Sequence, residues 1–248
     1  MEEIQFIQPH TTEWDEARLG RLTSSEIHKI FVKPRSKSER FSEGAETYIY
    51  EKIAEHLTRE CKKVPETEAI LRGLAEEQYA RERYVQITGH EVTDSCFIAY
   101  NSIFGGTNDG NIIIDKKHKG IIEIKCPDSK KFVEICACQS AEELGKIDKQ
   151  YKHQPQANIF ISGAEFCDFV AYDDRVRIPE LQLKIIRIYP DMEWQKEFKS
   201  LIGDVAEMMN EKLTAILNTP ENNLQFKASK IDNSKLEGLT QTLNQLSA

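Results

Sequence analysis

Apolar and polar positions along the chain alternate between two periods. Residues 111–114 (Asn-Ile-Ile-Ile) and 121–124 (Ile-Ile-Glu-Ile) are β-branched runs joined by the polar stretch Asp115-Lys116-Lys117-His118-Lys119-Gly120, which reads as a hairpin with its connection over 115–120. Further strands are expected near 96–104, 110–115, 120–126, 166–172 and 181–188, with helical patterns between them. A first helix from Thr12 stops at Gly20, and Thr23 or Ser24 caps a second one. Residues 44–58 place Ala45, Ile49, Ile53 and Leu57 at i+4 spacing, an amphipathic helix, and 191–217 form a longer one. Between them Pro34 to Ser42 is a polar, basic loop. A helix over 150–163 ends at Gly163; because Pro155 suits only a first turn, that helix either starts near Lys152–Gln154 or is kinked.

The segment 67–88 reads as a helix whose period separates two adjacent acids. Glu77 is grouped with Gly73, Leu74, Ala80 and Tyr84, whereas Glu76 is grouped with Arg72, Tyr79 and Arg83. An unpaired carboxylate on the more apolar face is unfavourable, so Glu77 needs a metal or a cation, of which Arg81 at i+4 is the ordinary choice.

The second run carries chemistry. Alternation along a strand puts Glu123 and Lys125 on one face and Ile122 and Ile124 on the other. Asp109 lies just upstream in Gly105-Gly106-Thr107-Asn108-Asp109-Gly110. Two acids and a lysine so placed suit phosphate-ester hydrolysis, in which carboxylates hold a divalent cation and the lysine orients water or meets developing charge. Oxygen ligands favour Mg²⁺ or Mn²⁺ over zinc. The Glu-Ile-Lys triplet alone matches many exposed amphipathic strands; Asp109 and Glu77 give it weight.

Composition narrows the class. The 248 residues, 40% hydrophobic and 30% charged, suit one globular α/β domain, expected over 1–218 with a polar tail or assembly arm over 219–248. The sequence shows no long apolar run and no export signal, so a soluble protein of the cytoplasm is expected, with its six cysteines reduced. Cys136-Ala-Cys138 is the one close pair, and no second cluster completes a zinc or iron–sulfur site. A net charge of −8 argues against a protein that coats DNA. Basic groups at Lys29, Lys33, Arg35, Lys37 and Arg40, at Lys116, Lys117 and Lys119, and at Lys130 and Lys131 still allow a positive channel on an acidic body. The six histidines are scattered and read as surface or packing residues.

In order along the chain stand Arg18-Leu19-Gly20 through Thr23-Ser24-Ser25-Glu26, Gly73 with Glu77 and Ala80-Arg81, Asp109-Gly110, Glu123-Ile124-Lys125-Cys126-Pro127, Tyr151 with Gln154 and Gln156, and Phe169 to Asp173. This order, from about Trp14 to Asp173, resembles the lambda-exonuclease or YqaJ-type viral recombinase family of the PD-(D/E)xK nuclease superfamily. The resemblance implies a restriction-endonuclease-like α/β core with a mixed central sheet flanked by helices. It implies metal binding by Asp109, Glu123, the Ile124 carbonyl and Glu77, with Lys125 on the attacking water and Gln154 completing the catalytic set. Arg18, Ser25, Thr107 and Lys131 stand where the family contacts the terminal phosphate of DNA.

The activity implied is a 5′-to-3′ exonuclease on linear double-stranded DNA, using two Mg²⁺ ions, with Mn²⁺ as substitute, and leaving a 3′ single strand. The partners implied are double-stranded DNA ends, two further copies in a homotrimer ring and a single-strand annealing protein, with no membrane, in phage or prophage recombination in a bacterial host. A structure-specific or site-specific endonuclease on the same core, and a silent DNA-end-binding scaffold, are the alternatives.

Overall fold

The computed structural model describes residues 5–7, 11–61 and 67–218; the tail expected over 219–248 lies outside them. The chain runs β1 (Gln5–Ile7), α1 (Thr12–Arg18), β2 (Leu22–Thr23), a 3₁₀ segment (Ser24–Phe31), α2 (Glu43–Thr58), α3 (Glu68–Thr88) and β3 (Glu91–Thr93). There follow β4 (Phe97–Ala99), β5 (Phe104–Thr107), β6 (Gly110–Ile114), β7 (Lys117–Lys125), α4 (Ser129–Cys136), α5 (Ala141–Ile147) and α6 (Lys149–Ser162). The last elements are β8 (Phe166–Tyr172), a 3₁₀ turn (Pro179–Leu181), β9 (Leu183–Ile188) and α7 (Met192–Leu217).

Among the described residues the strands form two sheets, β1-β4-β5-β2 and β3-β6-β7-β8-β9. The larger is mixed: β7 and β8 are parallel, with Glu123 opposite Phe169, and its other pairings are antiparallel. A parallel pair needs a crossover, supplied here by α4, α5 and α6. Helix α3 covers one face, where Ala80 and Tyr84 pack on Ile112, Ile122, Ile124 and Val170. The crossover covers the other, where Phe132, Ile135, Leu144 and Tyr151 pack on Ile121 and Phe169. Covered on both sides, β8 is buried throughout and reads as an almost continuous apolar run. Its one charge, Asp168, accepts from the Tyr84 hydroxyl at 2.6 Å and from Arg187 at 2.8 Å through each oxygen.

The smaller sheet has its own core, in which Leu22, Ile98 and Phe104 meet Ile27, Ile49, Trp194, Phe198 and Val205. Helix α6 serves both cores: Ala157 and Ile161 face the small sheet, Tyr151 and Ile159 the large one. It therefore has no solvent face to which polar residues can be confined, and Gln154, Gln156 and Asn158 are buried in it. Such groups must find partners, and Gln156 does so by joining the Tyr189 carbonyl and the Asp191 amide.

Several sequence expectations change. The hairpin connection is not 115–120 but the two residues Asp115 and Lys116, both at positive φ (51° and 61°) as a type I′ turn requires. Lys117–Lys119 belong to β7 because they pair with β6, and a register shift at Ile112/Ile113 absorbs the extra residue. The single strand expected over 96–104 is two antiparallel strands, β4 and β5, since the Asn101 side chain accepts from the Ile103 and Phe104 amides and turns the chain. The helix expected after Thr23 is a 3₁₀ segment, and Thr23 makes no side-chain cap bond. Helix α6 starts at Lys149, so Pro155 lies beyond its first turn.

Half-buried His153 accepts from the Trp194 indole at 2.9 Å and has its pKa pushed down to about 4, by burial first and then by Lys152, His28 and Lys149. The folded state thus binds fewer protons than the unfolded one between pH 4 and 6.5, and the stability this histidine contributes is lost as pH falls through that window. Urea midpoints measured from pH 7 to 4 are expected to fall less steeply for His153→Gln than for the native chain. Equal slopes would refute this.

Candidate active site

Asp109 and Glu123 meet because a side-chain turn redirects the chain between β5 and β6. The buried Asn108 side chain accepts from the Gly110 amide at 2.9 Å, and the Asp109 amide donates to the Ile122 carbonyl at 3.0 Å. The Asp109 carboxylate is thereby carried onto β7, where Oδ2 accepts from the Ile124 amide at 2.6 Å. Glu123 is fully buried; Oε1 accepts from Lys125 Nζ at 2.7 Å and Oε2 from Asn158 Nδ2 at 2.9 Å.

Burial and the neighbouring Asp109 charge push Glu123 up to about 8, against the opposing pull of Lys125. Asp109 is raised as well, by burial first, with Lys125 and the Ile124 amide opposing. Burial pulls Lys125 down, yet Glu123 and Asp109 outweigh it, and the lysine stays protonated with its pKa raised. A protonated Lys125 is a donor and a positive charge, not a base.

Glu77 enters from α3. With Gly73, Leu74, Ile124, Lys125 and Cys126 it lines a cavity of about 210 Å³, and burial, then the Asp109 charge, push it up to about 7. The expected pairing partner Arg81 spends its guanidinium on the Asp109 carbonyl and, at 3.1 Å, on Asp94. A second clamp sets the start of α3: fully buried Asp173 binds Arg72 at 3.2 Å and Arg175 at 2.7 Å, and both arginines donate to the Pro127 carbonyl at 3.1 Å. This holds the helix carrying Glu77 against the residues that follow Lys125.

Arg18, Ser25 and Thr107 come together, with Thr23, Ser24, Phe97 and Gly106, around a cavity of about 170 Å³. The Arg18 guanidinium lies 4.1 Å over the Trp14 ring, and burial lowers its pKa, so an anion would favour its charge. The Ser24 and Thr107 hydroxyls are buried without a hydrogen-bond partner among the described residues. A half-buried cation beside unpartnered hydroxyls is chemistry that suits an anion. Lys131 does not line this cavity: it stands on α4, 3.3 Å from Asp148 and over the Tyr151 ring.

A family model described as the YqaJ-like viral recombinase domain matches residues 13–165, more than half of the chain. The chain belongs to this family. Among solved structures, an alkaline exonuclease (LHK-Exo) from Laribacter hongkongensis is 29% identical with a TM-score of 0.68, over 90% of this chain and 100% of that one. LHK-Exo in complex with dAMP gives 29% identity and a TM-score of 0.69, over 84% and 96%. A phage related exonuclease from Haemophilus somnus 129PT shares the fold at 17% identity and a TM-score of 0.62, over 79% and 96%. No curated protein matches the chain. The YqaJ-like chain thus has the PD-(D/E)xK core, a mixed sheet flanked by helices.

Among the described residues no three His, Cys, Asp or Glu side chains converge closely enough to cage a metal ion. The donors nonetheless fit Mg²⁺, which needs only one or two carboxylates with waters and substrate phosphate. Asp109, Glu123 and Glu77 are hard oxygen donors whose raised pKa values record negative charge gathered in a poorly solvated place, which a divalent cation would relieve. Sequence reasoning missed Asn158. Gln154, buried one turn earlier, accepts from Gln150 at 3.0 Å, and the amide on Glu123 is that of Asn158. Its i+4 spacing from Gln154 was the available signal.

Proposed function

We propose that this YqaJ-like chain is a Mg²⁺-dependent exonuclease that degrades one strand of linear duplex DNA from its 5′ end and leaves a 3′ single strand. The observation that carries the reading is the Asp109–Glu123–Lys125 set at the end of β7, with a cationic, hydroxyl-lined cavity for a terminal phosphate on the adjoining sheet. The dAMP complex of LHK-Exo supports it, because that relative holds a nucleoside monophosphate.

Hydrolysis adds water oxygen to the phosphorus and breaks the bond to the 3′ oxygen of the terminal nucleotide, which leaves with a proton. The remaining strand then begins with a new 5′-phosphate for the cavity. A bound cation supplies Lewis acidity and a more acidic water. Asp109, Glu123 and the Ile124 carbonyl would hold the catalytic ions, with Glu77 beside the second. Lys125 orients the water and meets developing charge, and we assign Gln154 of α6 to complete the catalytic set. Arg18, Ser25 and Thr107 fix the end phosphate, and Lys131 meets the backbone from α4. We assign residues 1–218 to one nuclease domain and 219–248 to a tail or assembly arm. A ring of three copies, an annealing protein and the cytoplasm of a phage- or prophage-bearing bacterium complete the proposal.

Digestion is tested with Mg²⁺ on linear duplexes bearing a 5′-phosphate or a 5′-hydroxyl and on a covalently closed circle. Linear DNA is expected to be consumed, the phosphorylated end faster, and the circle spared. Cutting of the circle would make the chain an endonuclease, and no digestion at all would leave a scaffold.

A further inference from the structure

Asn158 lies between the two sheets, 1% exposed, and its side chain touches both halves of the proposed machinery. Nδ2 donates to Glu123 Oε2 at 2.9 Å and to the Thr107 carbonyl at 3.2 Å. A carbonyl can only accept, so the Thr107 contact fixes which end of the amide is nitrogen. The other end, Oδ1, is buried without a hydrogen-bond partner among the described residues, as are the Ser24 and Thr107 hydroxyls. Gly106 shows how close these oxygens come. A Cβ there would lie 1.9 Å from Ser24 Oγ and 2.9 Å from Asn158 Oδ1, so both press on the same glycine. Ser24 and Thr107 also line the Arg18–Ser25 cavity.

We propose that Asn158 is a positioning residue that couples filling of this cavity by a terminal phosphate to the placement of Glu123. The inference rests on reading the cavity as the end-phosphate site. Thr107 provides the link, because it lines the cavity and its carbonyl holds Asn158 Nδ2. Drawing Thr107 toward an anion loosens that bond and shifts the amide onto Glu123. An end without phosphate would still bind through the rest of the duplex but would leave Glu123 less well set, so discrimination falls on kcat.

The first test needs no catalysis. In the ¹⁵N-labelled, metal-free chain, inorganic phosphate is expected to move the backbone amides of Ser25 and Thr107 together with the Asn158 side-chain amide, identified by its loss in Asn158→Leu. In Thr107→Val, which loses the hydroxyl but keeps the carbonyl on Asn158, the Ser25 response should persist and the Asn158 response fall by half or more. Cavity amides that move while Asn158 stays still would overturn the coupling and leave the cavity reading intact. No response anywhere would sink both.

The second test is kinetic. In Asn158→Leu, the kcat ratio between 5′-phosphate and 5′-hydroxyl ends is expected to collapse toward one while the KM difference persists. Equal loss of kcat on both ends, with the ratio kept, would reduce Asn158 to a support for Glu123 and refute the proposal. Should Asn158→Leu not fold, Thr107→Val, which keeps both Asn158 and Glu123, carries the same expectation for the ratio.

Discussion

Lys125→Ala is expected to lower the initial rate of linear duplex digestion by about two to three orders of magnitude, the usual effect of removing one preorganised donor from a reacting centre. Lys125 Nζ sits 2.7 Å from Glu123 Oε1, with the carboxylate side chain 1% exposed and the lysine 22%. The acids keep it charged, so what the substitution removes is a positive hydrogen-bond donor aimed at the place where charge develops. It also removes the group that pulls down the pKa of both Glu123 and Asp109. Protons then compete better with the cation, and half-maximal activity should require more Mg²⁺. Lys125→Arg restores the charge but not the compact ammonium, and should recover only part of the rate. Initial rates across a Mg²⁺ titration decide the matter. A loss of less than tenfold would remove Lys125 from the chemistry.

Asp168→Ala is expected to destabilise the fold by about 3 kcal/mol, near the lower end for breaking a buried charge pair. The carboxylate is 1% exposed and satisfies two partners on different elements, Tyr84 of α3 and Arg187 of β9. Their fates differ. Arg187, with 38% of its side chain exposed, can turn to solvent, which is why the larger values are not expected. The Tyr84 hydroxyl is buried against β8 and loses its acceptor with no water to replace it. Asp168→Asn keeps an acceptor and should lose less. Denaturant midpoints for the two variants, compared with the native chain, provide the measurement; an Ala variant within about 1 kcal/mol of native would show that the trio contributes little.

What the sequence made legible follows from periodicity. Alternation along β7 grouped Glu123 with Lys125, the helical turn separated Glu77 from Glu76 on α3, and Asp109 joined them from its place just before the paired strand β6. The polar start of β7 could not be read as a strand. Lys117 and His118 are exposed there and pair only with β6, so nothing in their side chains announces the ladder. Gly105 and Gly106 likewise lack strand propensity, and they sit in β5 because Ser24, Asn158 and Phe97 approach too closely for any Cβ. The existence of a second sheet was hidden for the same reason, since strands of two to four residues are made by pairing rather than by pattern. Asn158 shares the face of Gln154 at i+4, but in a helix buried between two cores that spacing does not set it apart from Gln154 and Gln156.

The shared helix α6 has a consequence for how the molecule comes apart. A helix whose opposite sides belong to different cores cannot lose one set of contacts and keep a soluble, half-buried face. At 14 residues with Pro155 inside, α6 is a poor helix in isolation, so it becomes ordered only when both sheets are in place. The slowest-exchanging amides of α6, β5 and β8 should therefore report one common opening free energy, as parts of a single cooperative unit rather than two independently melting halves.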